Sequence, residues 1–303
     1  MSKHLFGMVC THAGAAANNR GETEGNITTL QKLLWNGAVH TTVSAEAIRW
    51  ALRYRWQMLG LITNRRWDEQ TRRNDWRNPE FGIEDQGASA STYIDDDVLG
   101  YMSARAAKEE GSKGTTDARR SRLEMTRAVS LTPWTGDLTF NAASIGATPS
   151  AAMKGANPVP YGAEVHATRY QFGFAMTPEA LAVPSRALDC LEGIVGLGDV
   201  GGNHARFLFD FSPESIILRW TDDFAPRLLY CYEPDGSGVS SARLVRAVES
   251  GDVRADELVI GGAIEATQAG GRLKDLGAAV FSGVRVAADE ATARMRSDLG
   301  LAT

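Results

Sequence analysis

The stretch Val39-His40-Thr41-Thr42-Val43-Ser44-Ala45-Glu46-Ala47-Ile48-Arg49-Trp50-Ala51-Leu52-Arg53 changes its period in the middle. β-Branched residues dominate the first five positions and predict a short extended piece. From Ser44 onward Ala45, Ile48, Leu52, Trp56 and Leu59 recur at three- and four-residue intervals, which is one apolar stripe on an amphipathic helix. Ser44 is a good N-cap, and Glu46 places a negative charge in the first turn. Arg49 and Arg53 lie four apart along one flank of the stripe. Both guanidinium groups can point at one groove or ligand, or the two can simply line a solvated flank.

Upstream of that switch, His4-Leu5-Phe6-Gly7-Met8-Val9-Cys10-Thr11 reads as a first apolar strand that stops at the small-residue run Gly14-Ala15-Ala16-Ala17. A polar loop, Asn18 to Asn26, follows with residues that tolerate turn geometry. After Leu30 to Leu34, an Asn36-Gly37 turn leads back into the extended piece.

Downstream, residues 64–92 are polar, rich in Arg and Trp, and without clear period: Asn64-Arg65-Arg66-Trp67, then Arg72-Arg73-Asn74-Asp75-Trp76-Arg77. Such a long excursion without structure of its own is uncommon unless functional, and alternating Arg with Trp supplies phosphate pairing and a stacking surface. A strand is expected over 93–102, a second basic excursion over about 105–122, a strand over 123–131 and an exposed loop or hairpin over 147–162. Val165 to Met176 predicts a strong strand, with Tyr170, Phe172 and Phe174 on one face and Arg169, Gln171 and Gly173 on the other. A helix over Pro178 to Val195 is expected from a Thr177 cap. Ala205 to Phe211 and Ser215 to Trp220 look like strands, and 240–303 alternates short helices with a few apolar strands as a C-terminal elaboration.

At 303 residues, 43% apolar and 23% charged, the chain is long enough to bury a substantial core, so disorder and fibrous repeats are poor readings. Apolar runs fall far short of the roughly 20 residues of a membrane span, and the N-terminus does not read as a leader, so a soluble, cytoplasmic protein is expected. Cys10, Cys190 and Cys231 are widely spaced and predict reduced, buried packing residues. The net charge of −5 hides an asymmetry: residues 1–127 carry 18 Lys/Arg against 16 Asp/Glu, the remainder 14 against 21. Eight of the 26 Arg fall between Arg49 and Arg77, which suits phosphate and base stacking, although a GC-rich genome gives the same bias.

Other motifs carry less. Gly196-Leu197-Gly198-Asp199-Val200-Gly201 has the string of a dinucleotide fingerprint, but a helix precedes it where a strand is required. Gly111-Ser112-Lys113-Gly114-Thr115 lacks P-loop spacing. Asp95-Asp96-Asp97 could hold a divalent metal, yet on a strand at most two would converge; a solvated turn or partners for neighbouring Arg are the better reading. The five His show no metal-binding spacing and lie in no nucleophile motif.

Three blocks taken together resemble a known family: Leu5 to Thr11, Asn18 to Lys32, and Val39 to Arg53. With Ile94 to Met102, Arg127-Ala128-Val129-Ser130 and Thr168 to Phe172 in the same order, the chain resembles the DevR type of CRISPR-associated backbone subunit over at least residues 4–220. The resemblance implies an α+β fold of the RAMP superfamily. Its RRM-like (ferredoxin-like) core carries large finger insertions at about 64–92 and 105–122, and a candidate thumb at about 147–165, all within one domain. It implies a non-catalytic protein without cofactor or metal, several copies of which line up along one CRISPR guide RNA. Other Cascade subunits of a type I complex would join them, and the guide would pair with the target DNA strand.

Carried over by motif, Asn18, Asn19, Arg20, Ser44, Arg49 and Arg53 are the expected RNA contacts, and Arg66 and Arg73 in the first insertion join them. Phosphate contacts through Arg, loop side chains and a helix N-terminus suit a subunit that must ignore guide sequence. Two other functions remain open: a DNA-binding autoregulator of its own operon, which would need a recognition helix, and a metal-dependent RNA-cleaving subunit using Asp95, Asp96 or Asp97.

Overall fold

The computed structural model describes residues 2–17, 23–81, 88–105, 115–147, 149–153, 159–201 and 208–301. Its first strand, β1 (His4–Thr11), is buried at every position because both of its faces are covered. Leu5 and Val9 enter one apolar cluster, Phe6, Met8 and Cys10 another on the opposite side. β2 (Gly14–Ala17) and the short strands β3 (Thr23–Glu24) and β4 (Ile27–Thr28) follow. β5 (Lys32–Trp35) and β6 (Ala38–Val43) form the hairpin expected around Asn36 and Gly37, whose φ values of 49° and 81° are those of a primed two-residue turn. The helix expected from Ser44 is α1 (Ala45–Met58), with Ile48, Leu52 and Trp56 buried. Leu59 does not complete the stripe; it caps the C-terminus and is 56% exposed.

The excursion 64–92 contains a hairpin, β7 (Arg65–Asp68) with β8 (Arg73–Trp76), and a short helix, α2 (Ala88–Thr92). Its strands, Arg65-Arg66-Trp67-Asp68 and Arg73-Asn74-Asp75-Trp76, hold one apolar residue each, which leaves no two-residue apolar period to read. The strand expected over 93–102 is divided: Ile94–Val98 is a helical turn and a half, α3, and extension begins only at β9 (Tyr101–Arg105), after Gly100 turns the chain at φ 68°. Aspartate disfavours strands, and on a helix the three carboxylates diverge by about 100° each toward separate neighbours. β9 pairs with β10 (Thr115–Arg119).

In place of one strand over 123–131 there are two, β11 (Leu123–Met125) and β12 (Ala128–Ser130). Thr126 interrupts them, exchanging hydrogen bonds with Gly173 through its N–H (2.9 Å) and its hydroxyl (2.8 Å). β13 (Leu138–Ala143) and β14 (Val159–Thr168) make a long hairpin with α4 (Pro149–Met153) in its connection. The exposed loop or hairpin expected from 147 is thus the far end of a hairpin that starts at Leu138. The single strand expected over 165–176 changes sheets at Arg169, held by Glu214 at 2.5 Å, and resumes as β15 (Tyr170–Met176). Tyr170, Phe172 and Phe174 are buried as expected, and Gln171 on the other face is buried too.

The helix expected from Pro178 starts later, as α5 (Arg186–Val195), because Pro184 cannot sit inside it. Thr177 does stand at the cap position with Pro178 first, but of a single 3-10 turn (Pro178–Ala180), and its hydroxyl makes no capping bond and instead pairs with His4 Nδ1 at 2.7 Å. In the strand expected over Ala205 to Phe211, the described part, 208–211, is irregular: Phe211 N–H donates to Gly198 O at 2.8 Å, and Phe209 and Phe211 pack on Tyr170. Core-filling aromatics imitate strand alternation there. β16 (Pro213–Thr221), β17 (Glu233–Asp235), β18 (Gly238–Ser240), α6 (Ala242–Glu249), β19 (Leu258–Gly262), α7 (Gln268–Asp275), β20 (Ala279–Phe281) and α8 (Val284–Leu299) complete the chain.

The main sheet has the order β20-β19-β16-β1-β15-β12-β6-β5, with β11 also on β15. α1, α5 and α8 cover one face through Ile48, Leu52, Trp56, Cys190, Ile194, Ala291 and Met295; α6 and α7 cover the other through Leu244 and Leu273. Glycines permit two close approaches. A Cβ on Gly7 would lie 2.3 Å from the Phe174 ring that crosses it on β15, and one on Gly193 would lie 2.4 Å from Leu52, where α5 crosses α1. Cys10, Cys190 and Cys231 are buried free thiols, and burial raises the pKa of each.

Candidate nucleic-acid interface

The switch from β6 to α1 is made at Ser44, whose extended backbone (φ −70°, ψ 150°) lets Oγ accept the Ala47 N–H at 3.2 Å. The cap uses the Ser44 side chain and aligns the first-turn amides with the positive end of the helix dipole. Asn18, Asn19 and Arg20, the loop expected to accompany this helix end, lie outside the described residues.

Arg49 and Arg53 share a flank of α1 as their spacing requires, but they face the segment 95–99. Arg49 Nη2 donates to the Leu99 carbonyl. Arg53 Nε donates to Asp95 Oδ2 at 3.2 Å. Burial lowers the pKa of both guanidinium groups, while Asp95 pulls that of Arg53 back up.

Asp95, Asp96 and Asp97 are neither a solvated turn nor on a strand; they are 1%, 2% and 0% exposed. As partners of Arg they are what the sequence suggested, and they do more. Asp95 Oδ1 accepts the Asn64 N–H at 2.6 Å and Oδ2 the Arg65 N–H at 3.0 Å, so this carboxylate holds the entry to β7. Asp96 Oδ2 accepts from Asn64 Nδ2 at 2.7 Å and from the Ser89 hydroxyl of α2. Asp97 takes Arg119 of β10 at 2.6 Å, Arg186 of α5 at 2.9 Å, and the Ala182 and Val183 N–H groups. Burial pushes the Asp96 carboxyl up to about 6, against the Ser89 hydrogen bond that favours its charge. Among the described residues no group of three or more His, Cys, Asp or Glu is arranged to hold a metal ion.

The hairpin β7–β8 stands on the outer face of α1. Gln57 and Trp67 exchange two 2.8 Å hydrogen bonds, side-chain amide to backbone. Trp50 stacks on Tyr54 at 5.3 Å and meets the edge of Trp67 at 5.9 Å, and Arg65 covers Trp76 at 5.5 Å. The tryptophans thus seat the hairpin while Trp50 and Trp76 keep about a third of their surface exposed. Arg66 and Arg73 are exposed, together with Arg72 and Arg77. The structure therefore brings Arg49, Arg53, Arg66 and Arg73 into one region, the first two engaged internally and the last two open to a ligand. Gln57, Asn64 and Asp95 connect them, and no motif in the sequence pointed to the first two.

Where β14 meets the core, Thr41 Oγ1 lies 2.7 Å from His166 Nδ1 and 2.9 Å from the Tyr170 hydroxyl, while His40 Nδ1 lies 2.7 Å from Ser130 O. His166 is thus a buried polar fastener of the long hairpin, and His40 ties β6 to β12. Burial lowers the pKa of His166 and raises that of Tyr170 to about 12. Leu138, Phe140, Met153 and Tyr161 leave the hairpin with exposed apolar side chains.

The exposed arginines and tryptophans beside an apolar hairpin give this surface the chemistry for phosphate and protein contact, and comparison with known proteins shows the family. The family described as CRISPR-associated negative auto-regulator DevR/Csa2 matches residues 9–265. A protein of Myxococcus xanthus (strain DK1622), "CRISPR-associated protein Cas7/Cst2/DevR", is 56% identical over 298 residues, 97% of this chain and 98% of that protein. The chain belongs to the DevR/Csa2 family of CRISPR-associated proteins. Two solved chains share its fold at low identity. One, from a "CRISPR RNA-guided surveillance complex", has a TM-score of 0.57 at 13% identity, covering 97% of this chain and 99% of that one. The other, from such a complex described as pre-nicking, has 0.59 at 10%, covering 96% and 100%. No helix among the described residues is long and apolar enough to cross a membrane.

Proposed function

We propose that the protein is a non-catalytic backbone subunit that binds CRISPR guide RNA and lines up in several copies along it, within a type I Cascade complex that recognises DNA through the guide. What carries this reading is the fold it has in common with chains of complexes named for RNA guidance, combined with membership of a CRISPR-associated family. The order β16-β1-β15-β12, with α1 and α5 on one face, supports an RRM-like core in which β11 and β12 together make one strand. The buried aromatic face of β15 argues that this sheet does not stack bases, which leaves phosphate contacts from the α1 end, the Arg-bearing hairpin and the loop at 18–26. The apolar β13–β14 hairpin supports contact with a second copy or another Cascade subunit.

The non-catalytic part rests on Asp95, Asp96 and Asp97, each engaged by internal donors instead of facing a substrate. A cytoplasmic location fits the same reading. The test is binding of guide RNAs of equal length and unrelated spacer sequence across a salt series. Equal affinities that fall with salt are expected. Strong preference for one spacer, or loss of a bound RNA strand in the presence of a divalent metal, would overturn the reading.

A further inference from the structure

Three consecutive carboxylates buried on one short helix call for a purpose. On α3 they diverge, and each meets a different part of the chain: Asp95 the β7–β8 hairpin and α1, Asp96 α2, Asp97 the β9–β10 hairpin and α5. Ring contacts bring both hairpins onto the core, Trp67 against Trp50 and Tyr101 against Phe81, but they leave the register open, and the directional polar bonds set it. Asp95 has the geometry for this, since each oxygen takes a backbone N–H at the root of β7 and Oδ2 also takes Arg53. Asp97 takes the Ala182 and Val183 N–H groups and Arg186 on the α5 side, and Arg119 from the β9–β10 hairpin. Buried charge so fully bonded specifies one geometry, because any displaced hairpin would leave a carboxylate without its donors.

We infer that Asp95 is a positioning residue for guide binding. It fixes the arginine-bearing β7–β8 hairpin to the Arg49/Arg53 flank of α1, while Asp97 separately fixes the β9–β10 hairpin. This rests on the guide-binding reading above and adds how the binding surface is held in register. Asp95 touches no RNA; its effect passes through Arg53 and through the backbone of Asn64 and Arg65.

The experiment is amide hydrogen exchange of the full chain without RNA, followed by guide-RNA affinity, for wild type, Asp95→Asn and Asp97→Asn. In the wild type the Asn64 and Arg65 amides exchange at least tenfold more slowly than the amides of the exposed 69–72 turn. Asp95→Asn speeds exchange over Arg65–Trp76 at least tenfold, leaves Tyr101–Arg105 and β1 unchanged, and weakens guide binding at least fivefold. Asp97→Asn loosens Thr115–Arg119 and spares Arg65–Trp76. Three results overturn the inference: fast exchange of Asn64 and Arg65 in the wild type, which needs no variant to fold; uniform loosening of both hairpins and core; or a loosened hairpin with unchanged affinity. A wild-type chain that binds no guide RNA overturns the functional reading instead, and the exchange pattern, measured without RNA, tells the two failures apart.

Discussion

Replacing Asp96 by Asn should change how stability depends on pH more than it changes stability itself. The carboxyl is 2% exposed, beside the carboxylate of Asp95, with Ser89 and Asn64 as its donors. Burial, reinforced by that neighbouring charge, moves it from an ordinary 3.8 to about 6. A folded-state value above the unfolded one means that the native protein holds this proton more tightly. The resulting stability is complete below pH 4 and is lost as pH rises through about 6. Two units at about 1.4 kcal/mol each set an upper bound of about 3 kcal/mol on the loss.

Asparagine mimics the protonated acid and does not titrate. The difference in unfolding free energy, Asp96→Asn minus wild type, should therefore grow by up to about 3 kcal/mol between pH 4 and 7, whatever its offset. Urea unfolding followed by tryptophan fluorescence, at matched m-values, measures it, and groups common to both proteins cancel. A difference that stays flat across that range would show a solvated carboxyl, and the packing of α2 on α3 would be wrong.

Three further outcomes are expected. Gly7→Ala places a methyl group 2.3 Å from the buried Phe174 ring and should cost about 1–3 kcal/mol, seen as a lower Tm; an unchanged Tm would contradict the β1–β15 register. Ser44→Ala should cost about 1 kcal/mol by removing the cap of α1, and equal stability in thermal unfolding would mean that the cap is not made. Arg49→Ala with Arg53→Ala should weaken guide-RNA binding by about 2 kcal/mol or more and flatten its salt dependence, since Asp95 keeps its two backbone donors. Unchanged affinity in a filter or anisotropy titration would leave both as structural ties to Leu99 and Asp95.

The elements legible in the sequence were those whose own side chains encode the period. Ile48, Leu52 and Trp56 announce α1, Asn36-Gly37 announces its hairpin, and the aromatic alternation of β15 announces a buried strand. Elements stabilised by partners distant in sequence were not legible. Nothing near Asp95 says that Asn64 and Arg65 will present their amides to it, so by local pattern three aspartates that form a helical turn look like part of a strand. Phe209 and Phe211 fill space around Tyr170 from an irregular segment, and alternation alone cannot separate that from a strand. For the candidate interface, the Arg/Trp composition marks the 64–92 excursion but not the hairpin inside it, and Ser44 is legible as the cap of α1. That Arg53 is tied to a buried carboxylate depends on a contact across 42 residues.

The central claim is that several copies share one guide. Native mass spectrometry of the protein purified from cells that also express a CRISPR array tests it directly. A series of masses with several protomers on one repeat-derived RNA is the predicted result, and the step between masses gives the RNA length covered by each subunit. A single protomer per guide, or an RNA-free monomer or dimer with its partner subunits present, would contradict the account.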